Sequence, residues 1–468
     1  VMTRECSESI WWMVRSDKIM GSSFPVRRCL AGRHAAFDLP YCNTEAGDLK
    51  IHVKQREEKG YKPMSNTVQK WERERLRELA EKQLEYARSE LNQKRIKEWY
   101  LHNDLKGERP MVQLEMGTFE QEIIPQRLKC VTKEARELEA QLYRNFLNRE
   151  LFDDDRVVPD FFPLTYDAWF RLFDIEVKVE NAQLDGHQSL GHHFIPSLED
   201  LESDYEEGKI RPSAFGVDLE QTAKKKQFIE EMIGDILPVK IKMDGLYSVP
   251  TQMLVHIMSM EQMMFNMYDY PELFQQMMGQ IADDTLAYYR MLEEKKLILP
   301  TTAFENVGQG TFAFTRDLPG EEVLRERPFT TKDVWGFMDS QETVGISPQM
   351  YEEFIFPCYQ KISSQYGLLS YGCCEPVHPI WERCISKLEN LRKVSISPWC
   401  DEAYMGEQLR GSQVIYHRKP SPNYLGVDRI LDEDALREHI RPTRPAAQGS
   451  LVDFTPPEGS PIHNDLAN

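Results

Sequence analysis

The 468-residue chain lacks an excess of positive charge: 57 lysines and arginines stand against 76 aspartates and glutamates, a net charge of −19 at pH 7. Duplex- and RNA-binding proteins need a basic face that neutralises phosphates, so nucleic acid is excluded as the main partner. Long apolar runs are missing too. Each is interrupted well short of a membrane span, and no basic stretch followed by an apolar one marks a secretory signal. A soluble, cytoplasmic protein with no membrane partner is expected. The sequence contains no Walker A loop, no GxSxG elbow and no HExxH pair. GQGTF, with Gly308 and Gly310, is too short for a dinucleotide fingerprint. There is no repeat of solenoid period and no low-complexity tract. Cysteine is present but forms no framework. The nine are odd in number and scattered, so free thiols are expected, apart from any that bind metal.

What is present suffices for a large core. Hydrophobic residues make up 41% and aromatics 10%, which excludes wholesale disorder. The length suits one elaborated α/β barrel or two ordinary domains. Residues 1–63 mix Trp11, Trp12, Arg27, Arg28 and Arg33 without periodicity and read as an extension of unclear status, with Met64 a candidate natural start. Residues 64–104 form a helical segment, since Leu76, Leu79, Leu84, Tyr86 and Leu91 recur near helical spacing among charged residues. From about 105 to 468 the chain alternates apolar runs with amphipathic segments. RPMVQLEM, RVVPDFFPLTY and ILPVKIKM read as strands, 128–150, 251–267 and 271–293 as helices, and 180–225 as a long loop or insertion. GLLSYGCC, KVSIS, QVIYH and LVDF are apolar runs, the last three with β-branched residues, separated by helix-like segments at 378–389, 401–410 and 432–440. Such alternation implies parallel βα units. The expected class is α/β, a (β/α)₈ TIM barrel with a helical N-terminal extension, with a doubly wound sheet competing. The last strand comes without a covering helix, so the native chain is expected to continue past Asn468.

Chemistry concentrates where five of the nine cysteines fall, between Cys358 and Cys400. In SYGCCEPVHPIW a strand runs into Cys373, Cys374 and Glu375, which a barrel would place at its active-site end. Thiolate and imidazole suit zinc, so Cys373, Cys374 and His378 form a candidate metal set, with Cys400 at the end of the next strand. The alternative is a pair of buried thiols packed under a loop. Strand alternation would send the two thiols to opposite sides, with Cys374 facing the pocket. In DVWGFMDSQETVGISPQM, Asp339, Gln341 and Glu342 are candidates for a pocket mouth, and Ser347 before Pro348 reads as a helix cap. His192 and His193 are a candidate ligand-binding pair, with a plain loop pair as the alternative. Methionines 253, 258, 260, 263, 264, 267, 277 and 278 form a stripe that reads as adaptable core or the lining of an apolar pocket.

In this order, ILPVKIK, FTRDLP, DVWGFMDSQETVGISPQMYEEF, GLLSYGCCEPVHP, LRKVSISPWCD and VIYHRKPSPN resemble uncharacterised members of the uroporphyrinogen decarboxylase superfamily. The resemblance runs from about Met64 to the end. It implies a (β/α)₈ barrel and either porphyrinogen decarboxylation or zinc-dependent methyl transfer between corrinoid proteins and thiols. RRCLAGRH at 27–34 is only a partial echo of the arginine motif of the decarboxylase branch. The methyltransferase branch carries His-x-Cys at a late strand. Here Gly372 stands where the histidine belongs, and Ser450 and Asp453 stand near the last strand where a cysteine would be. The expectation is a methyltransferase-like enzyme that moves a methyl group between a corrinoid (cobalamin) cofactor or protein and a small acceptor, with zinc as a further cofactor. Catalysis is assigned to Cys373, Cys374, Glu375, Asp339 and Gln341. Substrate or cofactor binding is assigned to His192, His193, Glu342, Arg316 and Trp399. A decarboxylase would instead need converging arginines, for which Arg316, Arg392 and Arg418 are available. A barrel that binds a corrinoid or another small molecule without turnover is the third reading. The oligomeric state is left open.

Overall fold

The structure is a computed structural model, and it describes residues 67–456 apart from 116–122, 153, 185–186, 309 and 427–431. The extension at 1–63 and the chain end therefore lie outside the described residues. The strands are β1 (Met111–Val112), β2 (Phe162–Thr165), β3 (Asp167–Arg171), β4 (Lys178–Leu184), β5 (His187–Ile195), β6 (Ala214–Asp218) and β7 (Val239–Lys242). They continue with β8 (Leu246–Tyr247), β9 (Trp335–Met338), β10 (Leu368–Tyr371), β11 (Leu391–Ile396), β12 (Ile415–Arg418) and β13 (Val452–Phe454).

A seven-stranded sheet runs β1-β13-β12-β11-β10-β9-β8, and every ladder in it is parallel. A second parallel pair joins β2 to β7, which only Met243, Asp244 and Gly245 separate from β8. The expected α/β class with a parallel sheet is therefore present. The first strand of the sheet pairs with the last, Met111 opposite Asp453. Among the described residues no ladder joins β1 to β2.

Helices cover the sheet because its strands present apolar residues outward. Val394 and Ile396 of β11 are fully buried in one core with Met405 and Leu409 of the Glu402–Leu409 helix. Asp401 caps that helix by accepting from the Tyr404 N–H. The N-terminal helix Lys70–Arg88 buries Leu76 and Leu79 against Leu138 and Leu142 of Lys133–Leu151 and Ile229 and Ile233 of Leu219–Ile233. Each such leucine contributes about 1.5–3 kcal/mol. Glu72 fixes the register of this packing. Its buried carboxylate accepts from the Val131 and Thr132 N–H groups and the Thr132 hydroxyl, at 2.7–2.8 Å. Burial alone would raise its pKa, but these donors and the Gln69 N–H hold it below the ordinary glutamate value.

Two expectations need correction. Residues 180–225 are not a loop. They hold the antiparallel β4–β5 hairpin, a Leu201–Glu206 helix, β6 paired antiparallel with β3, and the start of Leu219–Ile233. Nor is 378–389 a helix. It makes two three-residue 3₁₀ turns, His378–Ile380 and Ile385–Lys387. Pro379 stands in the first turn, where a missing N–H costs nothing, so it does not cause the difference. Ser347 does cap a helix start, accepting from the Met350 N–H. Among the described residues no helix is long and apolar enough to cross a membrane.

Candidate functional site at the strand ends

Period-two alternation gives β11 and β12 two different faces. Val394 and Ile396 point to the helices, and Lys393, Ser395 and Ser397 share the opposite face. On β12, Tyr416 and Arg418 reach outward to Glu402, with Arg418 Nη2 at 2.7 Å, while His417 and Lys419 face the other way. This inner face is polar and buried in two layers.

The deeper layer holds Lys393, whose ammonium donates to Asp453 at 2.8 Å and Thr311 at 2.6 Å. His102 lies 2.5 Å from the other Asp453 oxygen. Burial alone would raise the Asp453 pKa, but Lys393 and His102 hold the carboxylate well below its ordinary value. Burial also lowers the His417 pKa to about 3, so its ring is neutral and shares a 2.8 Å hydrogen bond with Thr455.

The outer layer lies just past the C-terminal ends of the parallel strands, where open and closed α/β sheets alike place their ligands. β10 ends at Tyr371 and the chain turns at Gly372, whose φ of +94° favours glycine. An added Cβ there would also meet the Ser395 Cβ at 3.1 Å. The turn delivers Cys373, fully buried, and Cys374, partly exposed, with their sulfurs 3.3 Å apart. The expected alternation of the two thiols fails because the extended backbone ends one residue before them. Lys419, at the end of β12, donates to Cys373 Sγ at 3.9 Å. An ammonium at that distance stabilises negative charge on sulfur.

Glu375 locks the turn. One carboxylate oxygen accepts from the Cys373 N–H at 2.9 Å and the other from the Ser340 N–H at 3.0 Å, joining the ends of β9 and β10. The Ser395 hydroxyl donates to the Cys373 carbonyl at 2.6 Å, adding β11. Burial raises the Glu375 pKa against the lowering effect of these N–H groups and of Lys419.

A second carboxyl sits beside it. Burial and the Glu375 charge push the Glu342 pKa up to about 7, against the lowering effect of Thr251. Hydrogen-bond counting supports this direction. Thr251 Oγ1 lies 2.9 Å from Glu342 Oε2 and 2.8 Å from the Tyr359 hydroxyl, which itself donates to the Asp339 carbonyl at 2.6 Å. Each hydroxyl has one proton. If Glu342 is ionised, Thr251 donates to it and the Thr251–Tyr359 contact holds no proton. If Glu342 is protonated, donation runs from Glu342 through Thr251 and Tyr359 to Asp339 with a proton in every link. Nearby, the hydroxyls of Ser340, Tyr351 and Tyr371 form a closed triangle of 2.7–3.2 Å. Tyr351 opens a five-residue π-helical segment, Tyr351–Ile355, of a kind frequent at functional sites.

The structure thus brings together Cys373, Cys374 and Glu375, with Asp339, Gln341 and Glu342 on the turn after β9. Asp339 is fully buried, and Gln341 opens the Gln341–Thr343 turn. Trp399 lies beyond the end of β11, half-exposed, with its N–H donating to Ser397. Arg316 is elsewhere. It is exposed and paired with Asp104 at 2.9 Å, and the neighbouring Asn103 carbonyl accepts from Arg392, near the N-terminal end of β11. It therefore belongs to the opposite edge of the sheet. His193 is exposed on β5, opposite Glu180, and the side chain of His192 lies outside the described residues. Phe194 stacks on His256 at 4.1 Å, tying the hairpin to the end of the Pro250–Val255 helix that carries Thr251.

Zinc does not fit this donor set. Among the described residues, no group of three or more His, Cys, Asp or Glu could hold a metal ion. His378 Nδ1 accepts from the Asp401 N–H at 3.2 Å, and Lys419 already brings a positive charge to Cys373. Of the methionine stripe, Met253, Met260 and Met264 are half-buried. Met258, Met263, Met267, Met277 and Met278 are core, none more than 2% exposed.

Sequence reasoning missed Lys419, Thr251, Ser340 and the Lys393–Asp453 pair. The available signal was phase: Lys393, Ser395 and Ser397, like His417 and Lys419, recur at every second position of buried strands.

No family model matches the chain, and no curated protein matches it. Among solved structures, a methyltransferase from Methanosarcina mazei is similar with a TM-score of 0.43 and 12% identity. The match covers 79% of this chain and 95% of that one, and likeness at this level carries no argument about activity.

Proposed function

We propose that the chain is a methyltransferase-like enzyme working at sulfur, on the wall of a (β/α)₈ barrel closed between β1 and β2. The observation that carries the reading is the outer layer: two adjacent thiols, an ammonium 3.9 Å from one sulfur, and two carboxyls, Glu375 buried and Glu342 half-buried, at the C-terminal ends of parallel strands. A thiol that exchanges a methyl group must lose its proton and carry negative charge as the S–C bond forms or breaks. Lys419 stabilises that charge. The proton goes to the Glu342–Glu375 pair, where burial raises both carboxyls and brings Glu342 to about 7. As the S–C bond forms, the bond between the methyl group and its donor breaks, and the electron pair leaves with the donor. A corrinoid protein is the proposed methyl donor or acceptor, and no residue of this chain is assigned to hold it.

The decarboxylase reading is weaker, because its arginines do not converge. Arg316 and Arg392 lie at the opposite edge, and Arg418 is engaged with Glu402 behind the strand.

Methyl transfer from methylcob(III)alamin to small thiols, assayed beside uroporphyrinogen turnover, tests the proposal. The expected result is transfer that falls sharply in Cys373→Ser and Cys374→Ser, with no decarboxylation. Transfer at the wild-type rate by the double serine variant would refute the role given to the dithiol.

A further inference from the structure

The dithiol has a property that methyl transfer does not require. We infer that Cys373 and Cys374 form a reversible modification site, a disulfide between adjacent residues that a low-molecular-weight disulfide installs and a small thiol removes.

The two sulfurs sit 3.3 Å apart, so closure to the bonded distance of about 2.05 Å needs a relative shift of only about 1.3 Å. The pair divides the labour of a thiol–disulfide exchange. Cys374 is partly exposed and meets the oxidant, while Cys373 is fully buried beside the Lys419 ammonium, which favours its thiolate. In the first step the Cys374 thiolate attacks one sulfur of the oxidant, giving a mixed disulfide and releasing one small thiolate. In the second the Cys373 thiolate attacks Cys374 Sγ, closing the S–S bond and releasing the second small thiolate. The two cysteines lose two protons and two electrons, and the oxidant becomes two thiols.

The frame around the pair suits closure. Cys373 is pinned through its N–H by Glu375 and through its carbonyl by Ser395, so the resolving sulfur stays in place. Adjacent Cα atoms lie about 3.8 Å apart, below the usual range for a disulfide, so the bond is strained and readily reduced. That is the behaviour of a labile site rather than a structural crosslink. The other buried thiols stand apart from this chemistry. Burial pushes Cys130 up to about 12 and Cys384 to about 11, which leaves them as unreactive internal references.

The test equilibrates the full chain with oxidised and reduced glutathione at several concentrations, traps remaining thiols by alkylation and maps the 370–381 peptide by mass spectrometry. The expected product lacks two hydrogens, carries no glutathione and is restored by excess thiol. Its ratio to the reduced form should fall with the square of the reduced glutathione concentration, because two small thiols are released. Cys373→Ser should instead accumulate a mixed disulfide on Cys374, with a first-power dependence. A stable glutathione adduct on the wild-type peptide, a bond from either cysteine to another, or full alkylation under the most oxidising condition would each overturn the inference. None of these outcomes bears on methyl transfer by the reduced protein, so the two proposals fail separately.

Discussion

Replacing Lys419 by methionine removes the ammonium while keeping an apolar stem of similar length. A unit positive charge 3.9 Å from a thiolate contributes about 4 kcal/mol at an effective dielectric constant of about 20. The ammonium also acts on the Glu375 carboxylate, so its loss is divided between the two groups. Roughly a third to two thirds of the energy should therefore appear at sulfur, and since about 1.4 kcal/mol is a factor of ten, thiolate formation falls about tenfold to a hundredfold. Alkylation rates of Cys373 and Cys374, followed by peptide mapping across pH 6–9 (about the range in which thiols respond), read this directly. The rate in Lys419→Met should drop at neutral pH and approach the wild-type rate only at high pH. Lys419→Arg should restore most of it, because it restores the charge. If the methionine variant alkylates as fast as the wild type at neutral pH, the ammonium does not act on the dithiol and the electrostatic argument fails.

Glu342 governs a second response. An unfolded glutamate titrates near about 4.3, and the folded side chain near about 7. Between these values the native state binds more protons than the unfolded state, so stability falls as pH rises through the window and levels off above it. Glu342→Gln should remove that slope and stabilise the protein at pH 8 by about 1–2 kcal/mol relative to wild type, with little change at pH 5. Urea unfolding at the two pH values measures it, and an unchanged slope would contradict the raised value. Asp453→Ala leaves Lys393 buried without its carboxylate and should destabilise by about 3–5 kcal/mol. A loss below about 1 kcal/mol would mean the pair is not dry. Gly372→Ala forces a left-handed φ on a residue with a Cβ and crowds Ser395, so about 1–3 kcal/mol of stability should be lost along with methyl transfer. Arg316→Ala should leave turnover within about twofold, since the side chain lies on the opposite edge and an exposed ion pair contributes about 1 kcal/mol or less. A collapse of turnover would restore it as a substrate-binding residue.

The sequence was most legible where strands are buried on both faces and helices carry one stripe. GLLSYG, KVSIS, QVIYH and LVDF stand out because no solvent face dilutes their apolar residues, and each became a strand of the parallel sheet. The β4–β5 hairpin gave only a short sign. Residues 176–180, Glu-Val-Lys-Val-Glu, alternate exposed charges with half-buried valines, but the polar Gly/His/Pro-rich run that follows hides it, and backbone pairing holds the hairpin together. The helix expected at 378–389 carried no local warning, since a proline at its second position suits a helix start. The vicinal thiols, Glu375 and the turn after β9 were found because a strand running into chemistry-bearing residues is a local pattern. Their partners come from other strands, so their meeting at one edge follows from topology rather than from spacing.

Lys419 and Lys393 show why a strand's phase carries information that its composition hides. A parallel strand covered on both faces normally reads as a continuous apolar run. KVSIS and YHRK instead alternate, which in an edge or surface strand means that one face meets water. Neither strand has a face in water: Lys393, Ser395, His417 and Lys419 are all at most 2% exposed. Alternation inside a doubly covered sheet therefore signals a polar interior. Its charges must be compensated there, Lys393 by Asp453 and Lys419 by Glu375, because an isolated buried ammonium would neutralise itself. The two compensations differ in kind. Asp453 is bound tightly by Lys393, Thr311 and His102, which leaves the deep layer little freedom to exchange partners. Lys419 donates to the Cys373 sulfur at the longer distance of 3.9 Å and also acts electrostatically on Glu375, a carboxyl that accepts two backbone N–H groups. Of these two buried lysines, the one at the strand ends is the one that reaches a sulfur, and that is what a group stabilising a transient thiolate requires.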